Sequence, residues 1–115
     1  MDIVGEWVIH FDWGGSGKYI DDIIVFNDNG TFIVPSEGAT GKWVQFDDMI
    51  LWQYNDYDSL RTAYSGNIIK DSMLSGTMGE FSNGDAGRWY AFKRPGVKGA
   101  KEGKPEFNIV GKKLN

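Results

Sequence analysis

Short apolar or alternating runs, each closed by turn-forming residues, are the feature that most constrains how this chain can fold. Eight such runs occupy residues 4–12, 18–27, 31–35, 41–47, 49–54, 61–69, 73–80 and 87–94. Apolar residues at helical spacing do not persist for more than one turn before a glycine interrupts them. The pattern therefore predicts an all-β chain of eight strands.

The connections between these runs are mostly short and have turn chemistry. Asn27-Asp28-Asn29-Gly30 is the strongest hairpin signal, because Asn and Gly tolerate a positive φ. Asp47-Asp48 and Asn83-Gly84-Asp85 give two further tight turns. Short turns make consecutive strands antiparallel neighbours, and a meander of eight strands can close on itself and remove its edges. We therefore expect residues 1–95 to form an up-and-down antiparallel β-barrel.

Residues 96–115 have a different character and predict a basic C-terminal tail. Residues 1–95 carry 14 acids against 7 bases, whereas residues 96–115 carry five lysines against two glutamates. The segment 95–105 contains five Gly or Pro residues and is typical of a linker. The segment 105–110 regains β character, and we expect its apolar residues, Phe107 and Ile109 among them, to dock on an outer face of this barrel or of another chain.

Strand alternation separates an inner face from an outer face. In the first run Trp7, Ile9, Phe11 and Trp13 share one face, and His10 lies on the other. The same rule places Gly-x-Trp patterns at 41–43 and 87–89 with their indoles inward. An aromatic interior with a few polar points is typical of a small-molecule site. The ligand-lining residues predicted on this basis are Phe11, Trp43, Gln45, Tyr64 and Trp89.

Two alternatives stay open for the interior and the exterior of this barrel. Five Trp and seven Phe could fill an eight-stranded barrel completely, which would leave no pocket. Outside the barrel, the run from Met49 to Trp52 is apolar on both faces, and exposed apolar patches usually mark an interface. The residues predicted for a homo-oligomer interface are Trp52, Tyr90, Phe92, Phe107 and Ile109.

Composition excludes several classes of function. Because the chain has no Cys, disulfides, thiol nucleophiles and Cys-ligated metals are excluded. Its single His excludes a metal centre with several His ligands, so no cofactor or metal is expected. A net charge of −4 argues against a nucleic-acid partner. The glycine-rich run 14–18 lacks the spacing of a phosphate-binding loop. Without a signal-like start or a long apolar run, we expect a cytoplasmic protein with no membrane partner.

Several short motifs resemble the calycin-type barrels, the lipocalin-like and avidin-like families. They are Gly5-x-Trp7, Asn29-Gly30-Thr31-Phe32, Gly41-x-Trp43, Ala63-Tyr64-Ser65-Gly66, Leu74-Ser75-Gly76-Thr77 and Gly87-x-Trp89, which together span roughly residues 4–94. The resemblance implies an up-and-down barrel that binds a small molecule in its mouth. The chain lacks the disulfide usual in lipocalins, and only Trp89 stands where avidin-like proteins carry late tryptophans, so biotin is not expected.

The function expected from the sequence is the non-catalytic binding of a small, mainly apolar or aromatic ligand inside the barrel. The alternative is a structural or interaction protein whose filled barrel forms a homo-oligomer through its outer aromatic residues. A third hypothesis is a lipocalin-like isomerase that uses Tyr64 or His10 in acid–base work.

Overall fold

The computed structural model describes residues 2–55, 59–70 and 72–94, and it folds them into one closed antiparallel barrel. The strands are β1 (Gly5–Trp13), β2 (Ile20–Phe26), β3 (Thr31–Val34), β4 (Ala39–Phe46), β5 (Met49–Tyr54), β6 (Thr62–Lys70), β7 (Met73–Glu80) and β8 (Asp85–Lys93). No helix occurs in the described ranges. The predicted eight-stranded up-and-down barrel is confirmed. The predicted tail, 96–115, lies outside the described residues.

The barrel closes through pairing of its first and last strands. Each strand pairs with the next in chain order, and β8 pairs back with β1 from Trp7↔Lys93 to Trp13↔Gly87. Closure leaves no strand edge along this seam for another chain to extend. Residues 14–19, 35–38 and 81–84, together with Asn55 and Leu60, lie at one end of the barrel, and the turns after β2 and β4 lie at the other with the end of β6.

Two turns form as their residues predict. The β2–β3 turn is closed by the Asn27 amide, which donates to the Thr31 carbonyl at 2.8 Å, and Gly30 takes a φ of +86°. Phe46 pairs with Met49, so Asp47 and Asp48 form a two-residue turn. Asp47 takes a φ of +52°, which Asp tolerates better than most residues. These turns set the registers of the strands that they join.

The predicted inner faces of β1, β4, β6 and β8 are confirmed by register and burial. Trp7 is 0% exposed and Trp89 is 2% exposed, while Trp43 is half-buried against the core. In β5 the register places Ile50 and Trp52 inward. Trp52 is only 3% exposed, so its predicted place in an outer interface is wrong. Side chains alternate along β5, and the outward positions belong to Met49 and Leu51, on either side of Ile50.

Glycine at inner-face positions lets neighbouring groups approach closely. A Cβ at Gly41 would lie 2.7 Å from the Phe32 ring and would also collide with the Gln53 carbonyl. A Cβ at Gly87 would lie 2.9 Å from the Trp13 Cα. The glycine of the Gly-x-Trp pattern is therefore a point of close approach at both positions.

One end of the barrel is filled by large side chains. Ile3, Trp7, Phe26, Ile50 and Leu74 are at most 1% exposed and belong to one continuous core cluster. The Trp7 indole donates to the Ile3 carbonyl at 2.8 Å, which ties the segment before β1 across this end. Because this end is closed, any interior space open to solvent must lie toward the other end.

Candidate functional site

A cavity of about 410 Å³ opens at the end of the barrel opposite the filled core. This volume falls within the range of about 300–1,000 Å³ that is typical of small-molecule sites. Its lining comprises Ile9, Phe11, Trp13, Asp22, Ile24, Val34, Glu37, Gly38, Ala39, Thr40, Trp52, Tyr54, Asn55, Leu60, Thr62, Tyr64 and Glu80. The lining therefore combines an apolar and aromatic wall with polar groups nearer the mouth.

The mouth is widened because β3 is much shorter than β2. Only Val25 and Phe26 of β2 pair with β3, so the β2 residues before them extend past the end of β3. The β3–β4 connection turns into this space, where the Ser36 hydroxyl donates to the Asp22 carboxylate at 2.6 Å. The same connection brings Glu37 and Gly38 into the cavity lining.

Three aromatic residues on β5 and β6 form a continuous wall. The rings of Trp52 and Tyr64 are stacked, with centroids 4.8 Å apart and planes 10° from parallel. Tyr54 adds a third ring, 6.3 Å from Tyr64. Trp52 also packs on Trp89 at 4.8 Å, which lies beneath the wall in the core. Such contacts fix the wall in one arrangement, so it is a preformed apolar surface.

Three carboxylates stand among the lining residues, on three different segments. Asp22 comes from β2, Glu37 from the β3–β4 connection and Glu80 from the end of β7. The Tyr54 hydroxyl donates to Glu37. Burial, and next the negative charge of Asp22, raise the pKa of the Glu37 carboxyl despite that bond. The Asn83 amide donates to Glu80 at 2.9 Å.

The Tyr64 hydroxyl belongs to the same cavity. Tyr64 is 6% exposed, and no hydrogen-bond partner for its hydroxyl lies among residues 2–55, 59–70 and 72–94. Burial raises the pKa of this hydroxyl, and the charges of Glu37, Glu80 and Asp22 raise it further. The group is therefore a neutral phenol at physiological pH, able to donate to a ligand or to water.

The sequence-predicted lining residues divide between the cavity and the core. Phe11 and Tyr64 are among the residues that line the cavity. Trp43, Gln45 and Trp89 occupy inner-face positions but are not in the lining. Trp43 donates through its indole to the Asn27 carbonyl, Gln45 donates to the Asp47 carbonyl, and Trp89 donates to the Thr77 carbonyl. The lining residues and the other inner-face residues differ in their position along the barrel axis. Strand alternation predicts which face a side chain occupies but not that position.

The carboxylates and Tyr54 were absent from the predicted site. Asp22 could have been found by register, because the Asn27–Gly30 turn places Phe26, Ile24 and therefore Asp22 on one inner face. Glu80 follows the same rule from Met78 on β7. Glu37 lies in a connection, where no periodic pattern indicates orientation.

The predicted outer aromatic residues form a surface cluster on β1 and β8. Tyr90 stacks on His10, with centroids 4.7 Å apart, and meets Phe92 edge-on at 5.7 Å. Phe92 is 44% exposed. His10 therefore lies on the outer wall, as predicted, and is separated from the cavity that Tyr64 lines. Phe107 and Ile109 lie outside the described residues.

Asp12 is an outer-face carboxylate that is nevertheless 0% exposed. The backbone amides of Ser16 and Gly17 donate to it at 2.9 Å, the Ser16 hydroxyl at 3.0 Å, and Arg88 at 3.2 Å. Burial alone would raise the pKa of Asp12, but these hydrogen bonds outweigh it and lower the pKa below 3.8. Asp12 thus holds the β1–β2 connection against the barrel wall.

Comparison with family models, curated proteins and solved structures returns no significant match to this chain. In the part of the chain that the structure describes, no three His, Cys, Asp or Glu side chains group closely enough to hold a metal ion. Nor do those residues include a helix with the length and apolar character needed to cross a membrane.

Proposed function

We propose that this protein binds a small, mainly apolar or aromatic molecule in the open end of the barrel and does not transform it. The observation that carries the proposal is the cavity itself: about 410 Å³, preformed, and walled by Trp52, Tyr54 and Tyr64. A few polar groups at the mouth of an apolar pocket can orient a ligand. The resemblance of residues 4–94 to lipocalin-like and avidin-like families agrees with this proposal.

The arrangement of titratable groups favours binding over catalysis. His10 and Tyr64, the two groups considered for an isomerase, lie on opposite faces of the barrel wall. The raised pKa of Tyr64 makes its hydroxyl a weaker acid than an ordinary tyrosine. A general acid or base works best with a pKa near the operating pH. The site therefore offers hydrogen bonds and apolar contact in place of proton transfer.

Native mass spectrometry of freshly purified protein tests the proposal, followed by a ligand-observed NMR screen of small aromatic compounds. Two matched variants locate the binding. Ala39 lines the cavity on β4, whereas Ala63 on β6 faces outward beside Gln53 and Gly79. Ala39→Leu should weaken or abolish binding of every compound found, and Ala63→Leu should leave it unchanged. Equal effects of the two variants, or no binding in either assay, would contradict the proposal.

A second candidate function, self-association, is favoured by the outer face of β4 and β5. Val44 pairs with Leu51 and Phe46 with Met49 across the two strands, and these four outward side chains are 46–75% exposed. Contiguous exposed apolar groups of this kind usually mark an interface. Sedimentation equilibrium of the protein and of Phe46→Lys tests it: a dimer that the substitution dissociates supports self-association, and a monomer throughout rejects it.

A further inference from the structure

We propose that the cavity selects a small organic cation, an amine with an apolar or aromatic body, over a neutral or anionic molecule of the same shape. This inference rests on the proposed function and adds the charge of the ligand. Asp22, Glu37 and Glu80 are the charged residues in the described lining, which contains no Lys, Arg or His. All the charged side chains of the described cavity lining are therefore acidic.

The three carboxylates have neutral hydrogen-bond partners. Ser36 donates to Asp22 and Asn83 to Glu80, and the third partner is the Tyr54 hydroxyl. The two ion pairs found in the described residues, Arg88–Asp12 and Arg94–Glu6, involve no lining residue. Asp22 and Glu80 are partly buried and Glu37 is exposed, so three like charges share a partly solvated mouth without a counter-charge among the described residues. A ligand ammonium group would supply that counter-charge.

The carboxylates act on a common region around Tyr64. All three contribute to the raised pKa of its hydroxyl, although they come from β2, from the β3–β4 connection and from β7. Asp22 and Glu37 also act on each other, since the charge of Asp22 raises the pKa of Glu37. The three carboxylates therefore share the cavity lining with Tyr64 and are near enough to act on its hydroxyl. Tyr64 is buried and lines the same cavity, and its hydroxyl has no hydrogen-bond partner among the described residues.

The aromatic wall suits both parts of such a ligand. The stacked rings of Trp52 and Tyr64 offer apolar area to the ligand body. The face of an aromatic ring also attracts a cation that lies within about 6 Å of its centroid. An amine nitrogen placed between the ring wall and the carboxylates would satisfy both contacts. A carboxylate ligand in the same place would meet three like charges.

Three probes that share one ring system test this inference by isothermal titration calorimetry: tryptamine, tryptophol and indolepropionate. They carry a cationic, a neutral and an anionic side chain respectively. Tryptamine should bind at least about tenfold more tightly than tryptophol, equivalent to about 1.4 kcal/mol, and indolepropionate should bind most weakly. Raising the salt concentration should weaken tryptamine binding and leave tryptophol binding unchanged.

Variants assign the preference to the carboxylates. Asp22→Asn, Glu37→Gln and Glu80→Gln should each lower the tryptamine affinity about two- to fivefold, as expected for partly exposed ion pairs. Their combination should bring tryptamine to the affinity of tryptophol. Asp28→Asn is the matched control, because Asp28 is exposed in the turn at the filled end of the barrel. It should change neither affinity.

The outcomes separate the two proposals. If tryptophol binds and tryptamine binds no more tightly, cation selection is overturned and small-molecule binding stands. If tryptamine is preferred but Asp28→Asn lowers the preference as much as the lining variants do, the inference is also overturned, because general protein charge then explains the result. If none of the probes binds at millimolar concentration, both cation selection and binding of aromatic molecules are overturned.

Discussion

Trp52 is the residue whose replacement tests the barrel register most directly. It is 3% exposed and packs on Phe26, Phe32, Tyr64 and Trp89, with ring centroids 4.8 to 6.5 Å away. Trp52→Ala should lower the free energy of unfolding by about 3–5 kcal/mol. For a domain of this size each kcal/mol corresponds to about 4–8 °C, so the midpoint of thermal unfolding should fall by at least about 12 °C.

Leu51→Ala is the matched control for this substitution. Leu51 precedes Trp52 on β5, points to the opposite face and is 46% exposed, so its truncation should cost less than about 1 kcal/mol. Circular dichroism melts of both variants give the comparison. Should Trp52→Ala prevent folding, Trp52→Phe provides a milder change in the same place. A melt in which the Leu51 variant loses more stability than either Trp52 variant would refute the assigned register.

Three further predictions concern single groups. Gly41→Ala should lower stability by about 1–3 kcal/mol in denaturant titrations, because its Cβ would meet the Phe32 ring; Gly79→Ala, with its nearest contact at 3.5 Å, is the control and should be neutral. Tyr64→Phe should leave stability within about 0.5 kcal/mol of the parent, whereas a loss of 1 kcal/mol or more would indicate a hydrogen-bonded hydroxyl. Asp12→Asn should be less stable than the parent at pH 7. Since the folded-state pKa of Asp12 is lowered, its stabilisation is present above the unfolded pKa and is lost as the pH falls through the folded one. The two proteins should therefore converge in acid, and a constant difference would contradict this cause.

Strand alternation and turn chemistry made most of the fold predictable from the sequence. The Asp47-Asp48 turn fixes the pairing of Phe46 with Met49, and every later pair on β4 and β5 follows from it. The same reasoning correctly predicted that Trp7 and Trp89 point inward. The position of Trp52 was ambiguous for a physical reason: both faces of β5 are apolar, so hydrophobicity alone could not choose between them.

The candidate site was less predictable because it depends on depth along the barrel axis. Trp89 and Tyr64 both face inward, but Trp89 packs in the core and Tyr64 lines the cavity. The depth of a side chain along the barrel axis depends on how all eight strands are staggered and on where each strand ends. The shortness of β3, for example, opens the wall beside Asp22. These are collective properties of the closed sheet, and a local pattern of residues does not contain them.

The connections around the mouth have different roles, and Asp12 determines one of them. Residues 14–19 carry three glycines and could reach over the cavity, yet none of them lines it. Amide groups of Ser16 and Gly17 instead donate to Asp12, on the outer wall beside Arg88. Glu37 and Gly38 of the β3–β4 connection, and Asn55 and Leu60 between β5 and β6, do line the cavity. Asp12 lies between the lining residues Phe11 and Trp13 but faces outward, so its hydrogen bonds keep Ser16 and Gly17 on the outer wall and out of the cavity lining.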